Sequence, residues 1–274
     1  MHCQALNRSL LTTPYIIIPI YAFKDNYIWV IRDHYHAAVI DPGDASPVLD
    51  YLDREKLQLI AILNTHHHLD HVGGNEGLLR EFTVPVYGPS DESISTVTHR
   101  LKQCDDRESE EGSVYLPEFS LSFKVLDIPG HTAGHIAYYG ANLLFCGDTL
   151  FACGCGRVFE GTPQQMVESL EKLADLPRET LVYCGHEYTL SNIRFARMVE
   201  PRNPALAKRE MEVEKMRKQC LPTLPSNIGI EKATNPFLRC DEPEVIQHAS
   251  DYVGKALTDR VSVFTAIRDW KNHF

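Results

Sequence analysis

The segment Thr65-His66-His67-His68-Leu69-Asp70-His71 holds three closely spaced histidines, an aspartate and a fourth histidine. Neutral imidazoles and carboxylates are donors that borderline divalent metals take up readily. The segment follows the apolar run Leu59-Ile60-Ala61-Ile62-Leu63, which reads as a buried strand. At a strand end, side chains two residues apart point the same way, so His66 and His68 can share one ion. Asp70 and His71, one turn later, reach a second. The parity of His67 sends it away from both, which gives it a structural role. A histidine-rich surface loop is the plain alternative, and the H-x-H-x-D-H spacing followed by Gly73-Gly74 weighs against it.

Three further apolar runs end in the same way. Val125–Ile128 breaks at Pro129-Gly130 into a turn that carries His131 and His135; Leu143–Cys146 is followed by Gly147-Asp148; Leu181–Cys184 is followed by Gly185-His186. A single histidine after a strand is usually an ordinary loop residue. Four strand ends that each finish in Gly/Pro punctuation and a metal ligand form a constellation. Asp148 has two oxygens and can span two ions, which one imidazole ring does not ordinarily do. Between ions roughly 3.5–4 Å apart, a shared water loses a proton near neutral pH and becomes a nucleophile. His135 reads either as a residue orienting a ligand or the turn, or as purely structural.

These residues resemble the metallo-β-lactamase superfamily. Within it, the glyoxalase II (hydroxyacylglutathione hydrolase) family is indicated by narrower signals: Asp25-Asn26-Tyr27-Ile28-Trp29, Gly154-Cys155-Gly156-Arg157-Val158-Phe159-Glu160-Gly161-Thr162, Gly185-His186-Glu187-Tyr188-Thr189, Asn235-Pro236-Phe237-Leu238-Arg239 and Arg268-Asp269-Trp270-Lys271. The resemblance runs from about Tyr15 to Phe274. It implies an α/β fold, an αββα sandwich with metals at the sheet edge, followed by a smaller all-α C-terminal domain. It implies that His66, His68, His131 and Asp148 hold one metal and that Asp70, His71, His186 and Asp148 hold the other. Asp70 and Asp148 then serve catalysis beside a bridging hydroxide. Zinc is the expected metal, with iron or manganese also compatible with such a donor set.

The implied reaction is hydrolysis of the thioester of S-D-lactoylglutathione and related 2-hydroxyacylglutathiones to glutathione and a 2-hydroxy acid, the second step of methylglyoxal detoxification. In that family a helical domain walls the substrate cleft. Arg268 and Lys271 fall on positions that bind the glycine carboxylate, and Tyr188 falls on a tyrosine that bonds the peptide. Arg157 falls on a Lys/Arg position. Phe159 stands where some relatives have Tyr, so their phenolic hydrogen bond is missing. Charge against a helix dipole is the plain reading of Arg268 and Lys271.

The elements that must position these groups divide near Tyr188. Residues 15–188 read as the metal-binding domain of alternating strands and helices, and residues 189–274 as a helical substrate-binding domain. Ser46-Pro47 and Thr162-Pro163 look like helix N-caps followed by Pro, and Gln164–Leu173 has helical apolar spacing. After Tyr188 strands are expected to disappear. Helices are expected at Asn192–Val199, Asn203–Gln219, Glu242–Tyr252 and Arg260–Asn272, with a proline-rich linker at Leu221–Asn227. Met1–Pro14 falls outside the resemblance and reads as a disordered extension or an upstream start.

Composition narrows the class. The chain has 274 residues, 43% of them hydrophobic, and a net charge of −10. That balance weighs against nucleic acid as a partner. The basic cluster around Lys208 and Lys215–Lys218 interleaves with Glu210, Glu212 and Glu214, as on a solvated helix face. No apolar run reaches 18 residues, so no membrane span is expected. The eight cysteines lie mostly in apolar strands or a Gly-rich loop, which points to reduced thiols and a cytoplasmic location; a monomer is the expected state, though nothing in the sequence fixes it. Two other readings are a persulfide dioxygenase with one iron, whose relatives lack a long helical tail, and a non-enzymatic binding module, which the complete ligand set disfavours. A plain β-lactamase is disfavoured by the lack of a signal peptide.

Overall fold

A computed structural model describes residues 15–104 and 112–274; the N-terminal extension 1–14 lies outside the described residues. β1 (Ile16–Ala22), β2 (Asn26–Arg32) and β3 (His36–Ile40) form an antiparallel meander. β4 (Gln58–Leu63), β5 (Val86–Pro89) and β6 (His99–Leu101) extend it in parallel, so the sheet order follows the chain. A parallel step needs a crossover, and α1 (Ala45–Glu55) supplies it between β3 and β4. α2 (Leu69–Val72) and α3 (Asn75–Glu81) lie between β4 and β5.

The second sheet contains β7 (Ser113–Leu116), β8 (Leu121–Asp127), β9 (Ile136–Gly140) and β10 (Leu143–Gly147). A small hairpin, β11 (Leu150–Phe151) with β12 (Gly154–Cys155), precedes α4 (Pro163–Ala174). The crossover through α4 then places β13 (Leu181–Cys184) parallel to β10. β14 (Ser226–Asn227) closes the edge, giving the order 14-13-10-9-8-7.

Side-chain parity on β2 shows the layering. Tyr27, Trp29 and Ile31 enter a cluster with Phe123, Tyr138, Phe145 and Tyr183 of the second sheet. Ile28 and Val30 face the other way, into a cluster with Val48 and Leu52 of α1 and Leu78 of α3. Met166, Val167, Leu170 and Leu173 of α4 join the larger cluster. These layers are the expected αββα sandwich.

The tail supplies α5 (Thr189–Val199), α6 (Pro204–Lys218), α7 (Ile228–Thr234), α8 (Pro243–Val253) and α9 (Arg260–His273). Four of these lie on the expected helices, and α5 starts earlier, at Thr189. One expectation fails here, and one helix was not foreseen. A strand does follow Tyr188: β14 pairs antiparallel with β13 through Leu181–Asn227 and Val182–Ser226. α7 also begins directly after it, capped by Asn227, whose side chain accepts from Ile230 N. A second correction concerns α1. Its cap is Asp44, which accepts from Ser46 N, so Ser46 and Pro47 already lie inside the first turn. Asp outperforms Ser here because its carboxylate also faces the positive end of the helix dipole.

The tail is anchored by shared packing and by one acid. Phe195, Val199, Phe237, Phe264 and Ile267 lie in the same apolar cluster as the second sheet. Glu187 accepts from Tyr27 Oη at 2.6 Å, Thr223 N at 2.8 Å and Thr223 Oγ1 at 2.6 Å, tying β2 to the proline-rich linker. On the solvated face of α6, Lys208–Glu212 and Lys218–Glu214 pair at i,i+4. The seven cysteines among the described residues are free thiols.

Thr162 starts α4 with a reciprocal capping box: its hydroxyl accepts from Gln165 N, and the Gln165 side chain returns to Thr162 N. Thr162→Ala is expected to cost about 1 kcal/mol. A lower denaturant midpoint with unchanged slope is the outcome that chemical unfolding should show.

Candidate metal centre

The ligand candidates all sit where strands of the two sheets end. β4 delivers His66 and His68, and the single turn α2 then carries Asp70 and His71. His68 O accepts from His71 N at 2.9 Å and Val72 N at 3.1 Å, which turns Asp70 and His71 back toward the cleft. The β8–β9 turn delivers His131, β10 delivers Asp148 and β13 delivers His186. Backbone must approach closely here. A Cβ on Gly185 would lie 2.6 Å from both Asp148 Oδ1 and His71 Cε1, and Gly147, at φ 46°, has no room beside Thr65 Oγ1.

Donor atoms converge in two triads. His66, His68 and His131 bring ligand atoms within 4.8 Å of one another, and so do Asp70, His71 and His186. Asp148 stands between them: its Oδ2 lies 3.7 Å from His131 Nε2 and 3.2 Å from His186 Nε2, and its Oδ1 lies 3.4 Å from His71 Nε2. Thus the structure brings all seven sequence-identified ligand candidates into one cluster.

The outer nitrogens explain why the inner ones are available. His71 Nδ1 faces Asp41 Oδ2 at 3.1 Å, His186 Nδ1 faces Asp25 Oδ1 at 3.0 Å, and His131 Nδ1 faces the Arg157 carbonyl at 2.8 Å. Each partner only accepts, so each Nδ1 carries the proton and Nε2 keeps its lone pair in the neutral ring. Thr65 gives its hydroxyl proton to Asp41 Oδ2 at 2.7 Å, so His66 Nδ1, 3.0 Å away, donates to Thr65 Oγ1. His66 Nε2 and His71 Nε2 are then buried with no hydrogen-bond partner, as is Asp148 Oδ1. Buried polar atoms without partners are costly, and three aimed into one cluster fit a cation. Asp41 approaches His66 and His71 as well, but both of its oxygens already accept from Thr65, so it orients His71.

Electrostatics divide the two triads. Burial, then neighbouring imidazoles, push His66 well below its ordinary value; burial lowers His68 and His131 too. These rings are held neutral, the form that ligates. Burial would lower His71, but Asp148 and Asp41 overcome it and raise it well above the usual range. Asp148 likewise outweighs burial at His186 and raises it. Burial would raise the Asp148 carboxyl, yet His71 and His186 hold it well below the carboxylate range.

The remaining residues have distinct places. His135 is fully buried, stacks on His66 at 4.5 Å and accepts from Asp148 N at 3.2 Å, which orients the Asp148 backbone. His67 turns away from the triads toward Glu92 and Glu160. Phe159, 60% exposed, lies 5.2 Å from His131 and 5.8 Å from His68, while Tyr188 stacks on His186 at 4.7 Å. One aromatic therefore flanks each triad. The Arg157 side chain is exposed. Arg268 is only 6% exposed: it donates to Cys155 O at 2.7 Å and lies 5.1 Å over the Phe237 ring. Lys271 is half-buried 5.0 Å over Phe195, and burial with Arg268 nearby lowers it to about 8. Sequence reasoning missed Asp25 and Asp41 as histidine partners. It also missed Asn26 Nδ2, which holds Asp70 Oδ2 at 3.0 Å.

Residues 23–186 match the family model described as Metallo-beta-lactamase superfamily, so fold and site define a metallo-β-lactamase-superfamily protein. Residues 187–274 match the model described as Hydroxyacylglutathione hydrolase C-terminus. The chain belongs to the hydroxyacylglutathione hydrolase family. A protein of that name from Nitrosomonas eutropha is 61% identical over 94% of this chain and 98% of its own length. Another, from Aeromonas salmonicida, is 50% identical over 95% of this chain and 100% of its own. The crystal structure of ETHE1 from Myxococcus xanthus is 28% identical, with a TM-score of 0.55, over 80% of this chain and 96% of that one. The match of the tail to a hydroxyacylglutathione hydrolase model weighs against the dioxygenase reading, whose relatives lack such a tail.

A cation that satisfies these buried donors must stabilise the native state. Chelation of divalent metal should therefore lower the melting temperature, and re-addition should restore it. A ligand at 100 times its dissociation constant stabilises by about 2.7 kcal/mol. Identical melting curves with and without chelator would count against the assignment.

Proposed function

We propose that this chain hydrolyses the thioester of 2-hydroxyacylglutathiones, S-D-lactoylglutathione foremost, to glutathione and a 2-hydroxy acid. The observation that carries this reading is the buried Asp148 carboxylate shared by two ligand triads, in a chain matched along nearly its whole length by hydroxyacylglutathione hydrolases. His66, His68 and His131 would hold one divalent ion, Asp70, His71 and His186 the other, with Asp148 to both. Zinc is the metal we favour, and iron or manganese suits the same donors. When bound, such a pair supplies Lewis acidity and a water acidic enough to attack near neutral pH.

The chain's own residues then select and orient. Phe159 and Tyr188 form the two aromatic sides of the entrance, each against a ligand ring. Asn26 fixes the Asp70 carboxylate, and Asp25, Asp41 and the Arg157 carbonyl fix the rings behind the reacting carbonyl. The Arg157 side chain and Lys271 would receive the glutathione end, with Lys271 on the glycine carboxylate. Arg268, buried behind it, adds positive field and holds the β11–β12 hairpin through Cys155 O. The leaving group is a cysteine-type thiolate with a solution pKa of about 8.5, so it departs without a dedicated general acid. Residues 15–188 would form the catalytic unit and residues 189–274 the substrate-binding one, in a cytoplasmic monomer. No helix among the described residues is long and apolar enough to cross a membrane.

Elemental analysis combined with a thioesterase assay tests the reading. About two metals per chain and turnover of S-D-lactoylglutathione are expected. Asp148→Ala should lose at least one metal and several orders of magnitude in kcat. Near-normal turnover with both metals retained would remove Asp148 from its bridging place.

Lys271 makes a separate, pH-dependent prediction. A carboxylate contact remote from the breaking bond changes little between ground and transition state, so its loss appears in KM and spares kcat. Charge-assisted contacts are worth about 1.5–3 kcal/mol, so Lys271→Ala should raise KM about tenfold or more. The same change should leave a glycine-ester substrate almost unaffected. Lys271 is charged below about 8 and loses its proton above it, so wild-type KM should be flat below that pH and climb above it. Lys271→Arg should remove the climb. An equal KM penalty for both substrates would assign Lys271 to the fold.

A further inference from the structure

One polar cluster beside the site has no part in the reaction described above. His67 sits between two ligand histidines, yet its Nδ1 lies 3.0 Å from Glu92 Oε2 and its Nε2 lies 3.3 Å from Glu160 Oε1. Glu92 is 7% exposed, and its Oε1 accepts from the Thr132 hydroxyl. Glu160 Oε2 accepts from Ala133 N at 2.9 Å. These contacts close a ring that runs from His67 to Glu92, to Thr132, along the chain to Ala133, to Glu160 and back to His67.

The ring joins four loops, with Glu92 in the one between β5 and β6. His67 belongs to the loop of His66 and His68, Thr132 follows His131, and Glu160 follows Phe159. The loops of His68 and His131 are also tied by Ile136 N to Thr65 O at 3.0 Å, but that bond lies at the base of the β8–β9 turn. The ring adds to the contacts of His131 itself, whose Nε2 lies 3.1 Å from His68 Nδ1, whose Nδ1 faces the Arg157 carbonyl and whose backbone O accepts from Phe159 N at 3.2 Å. Asp70, His71 and His186 are held by Asn26, Asp41 and Asp25, none of which belongs to it.

We propose that the His67–Glu92–Thr132–Glu160 ring is a positioning device for the first triad alone, setting the gap between His66/His68 and His131. Its members belong to neither ligand triad. Glu160 follows Phe159, whose backbone N donates to His131 O at 3.2 Å, so the ring and that bond together couple the aromatic wall to the geometry of that triad. The inference rests on the two-ion reading above. Outer partners of metal ligands typically change affinity by about 10–100-fold when removed, and here the whole change should fall on one of two sites.

The test is a zinc titration of the metal-free full chain against a competing chelator. Wild type should take up two ions, and His131→Ala and His186→Ala show which step belongs to which triad. His67→Ala and Thr132→Val should weaken the His131-dependent step by about 10–100-fold and leave the His186-dependent step unchanged. His67→Gln, whose amide can still donate to Glu92, should recover part of the loss. Thr132→Val removes little more than a hydroxyl, so it reports even if His67→Ala fails to fold. A single ion in wild type would overturn the two-ion reading and the inference with it. Two ions in wild type, with both steps or neither weakened in the variants, would overturn the inference alone. A third zinc lost in His67→Gln would also overturn it, because His67, His68 and Glu160 would then be a cation site.

Discussion

Everything around the site answers to one buried charge. Asp148 is 7% exposed and lies between imidazoles of both triads. A carboxylate removed from water is tolerable only when cations or donors surround it. The fold provides the space by ending four strands at one edge, and it provides access by placing glycine where backbone must pass close by, as at Gly185. Replacing Asp148 with an apolar group would satisfy the burial and destroy the reason for the surrounding histidines.

That charge does not stand alone. Asp25 and Asp41 lie behind His186 and His71, and Asp70 lies in front. At His71 and His186, carboxylate and imidazole alternate outward from Asp148, so these two rings are each polarised along one line. Asp25, Asp41, Asp70 and Asp148 together carry four negative charges, which the proposed pair of divalent ions would neutralise. The same carboxylates raise His71 and His186 above the usual imidazole range, and Thr65 and Asn26 donate to Asp41 and Asp70.

The ligand cluster was legible in the sequence because it is local. His66, His68, Asp70 and His71 share one short segment, and the others follow apolar strands with recognisable endings. Long helices were legible through proline and caps: Asn203 accepts from Ala205 N and Leu206 N, and Asp259 from Ser262 N. What escaped was either short or non-local. β14 is two residues long and has no alternation to detect, and α7 is a seven-residue helix after a proline-rich linker. Asp25 and Asp41 are ordinary loop acids in one dimension, and only the folded chain brings them to a histidine. Arg268 is expected by resemblance on the glycine carboxylate, but its burial and its bond to Cys155 O exist only in three dimensions.

The helical tail is more than a lid on a finished sandwich. Glu231 of α7 is fully buried, accepts from Cys153 N at 2.7 Å and Ser226 Oγ, and faces Arg209 at 3.4 Å. Asn235 donates to Phe151 O at 3.1 Å and Gly154 O at 2.8 Å. With Arg268 on Cys155 O, three tail residues hold both strands of the β11–β12 hairpin and the left-handed Cys153 at its turn. That hairpin starts just after Asp148 and returns to Gly156, whose Cβ would collide with the Asp148 carbonyl. Tail and ligand are thus joined by a rigid, fully hydrogen-bonded connection. These buried tail residues therefore also help to fix the backbone of the central carboxylate.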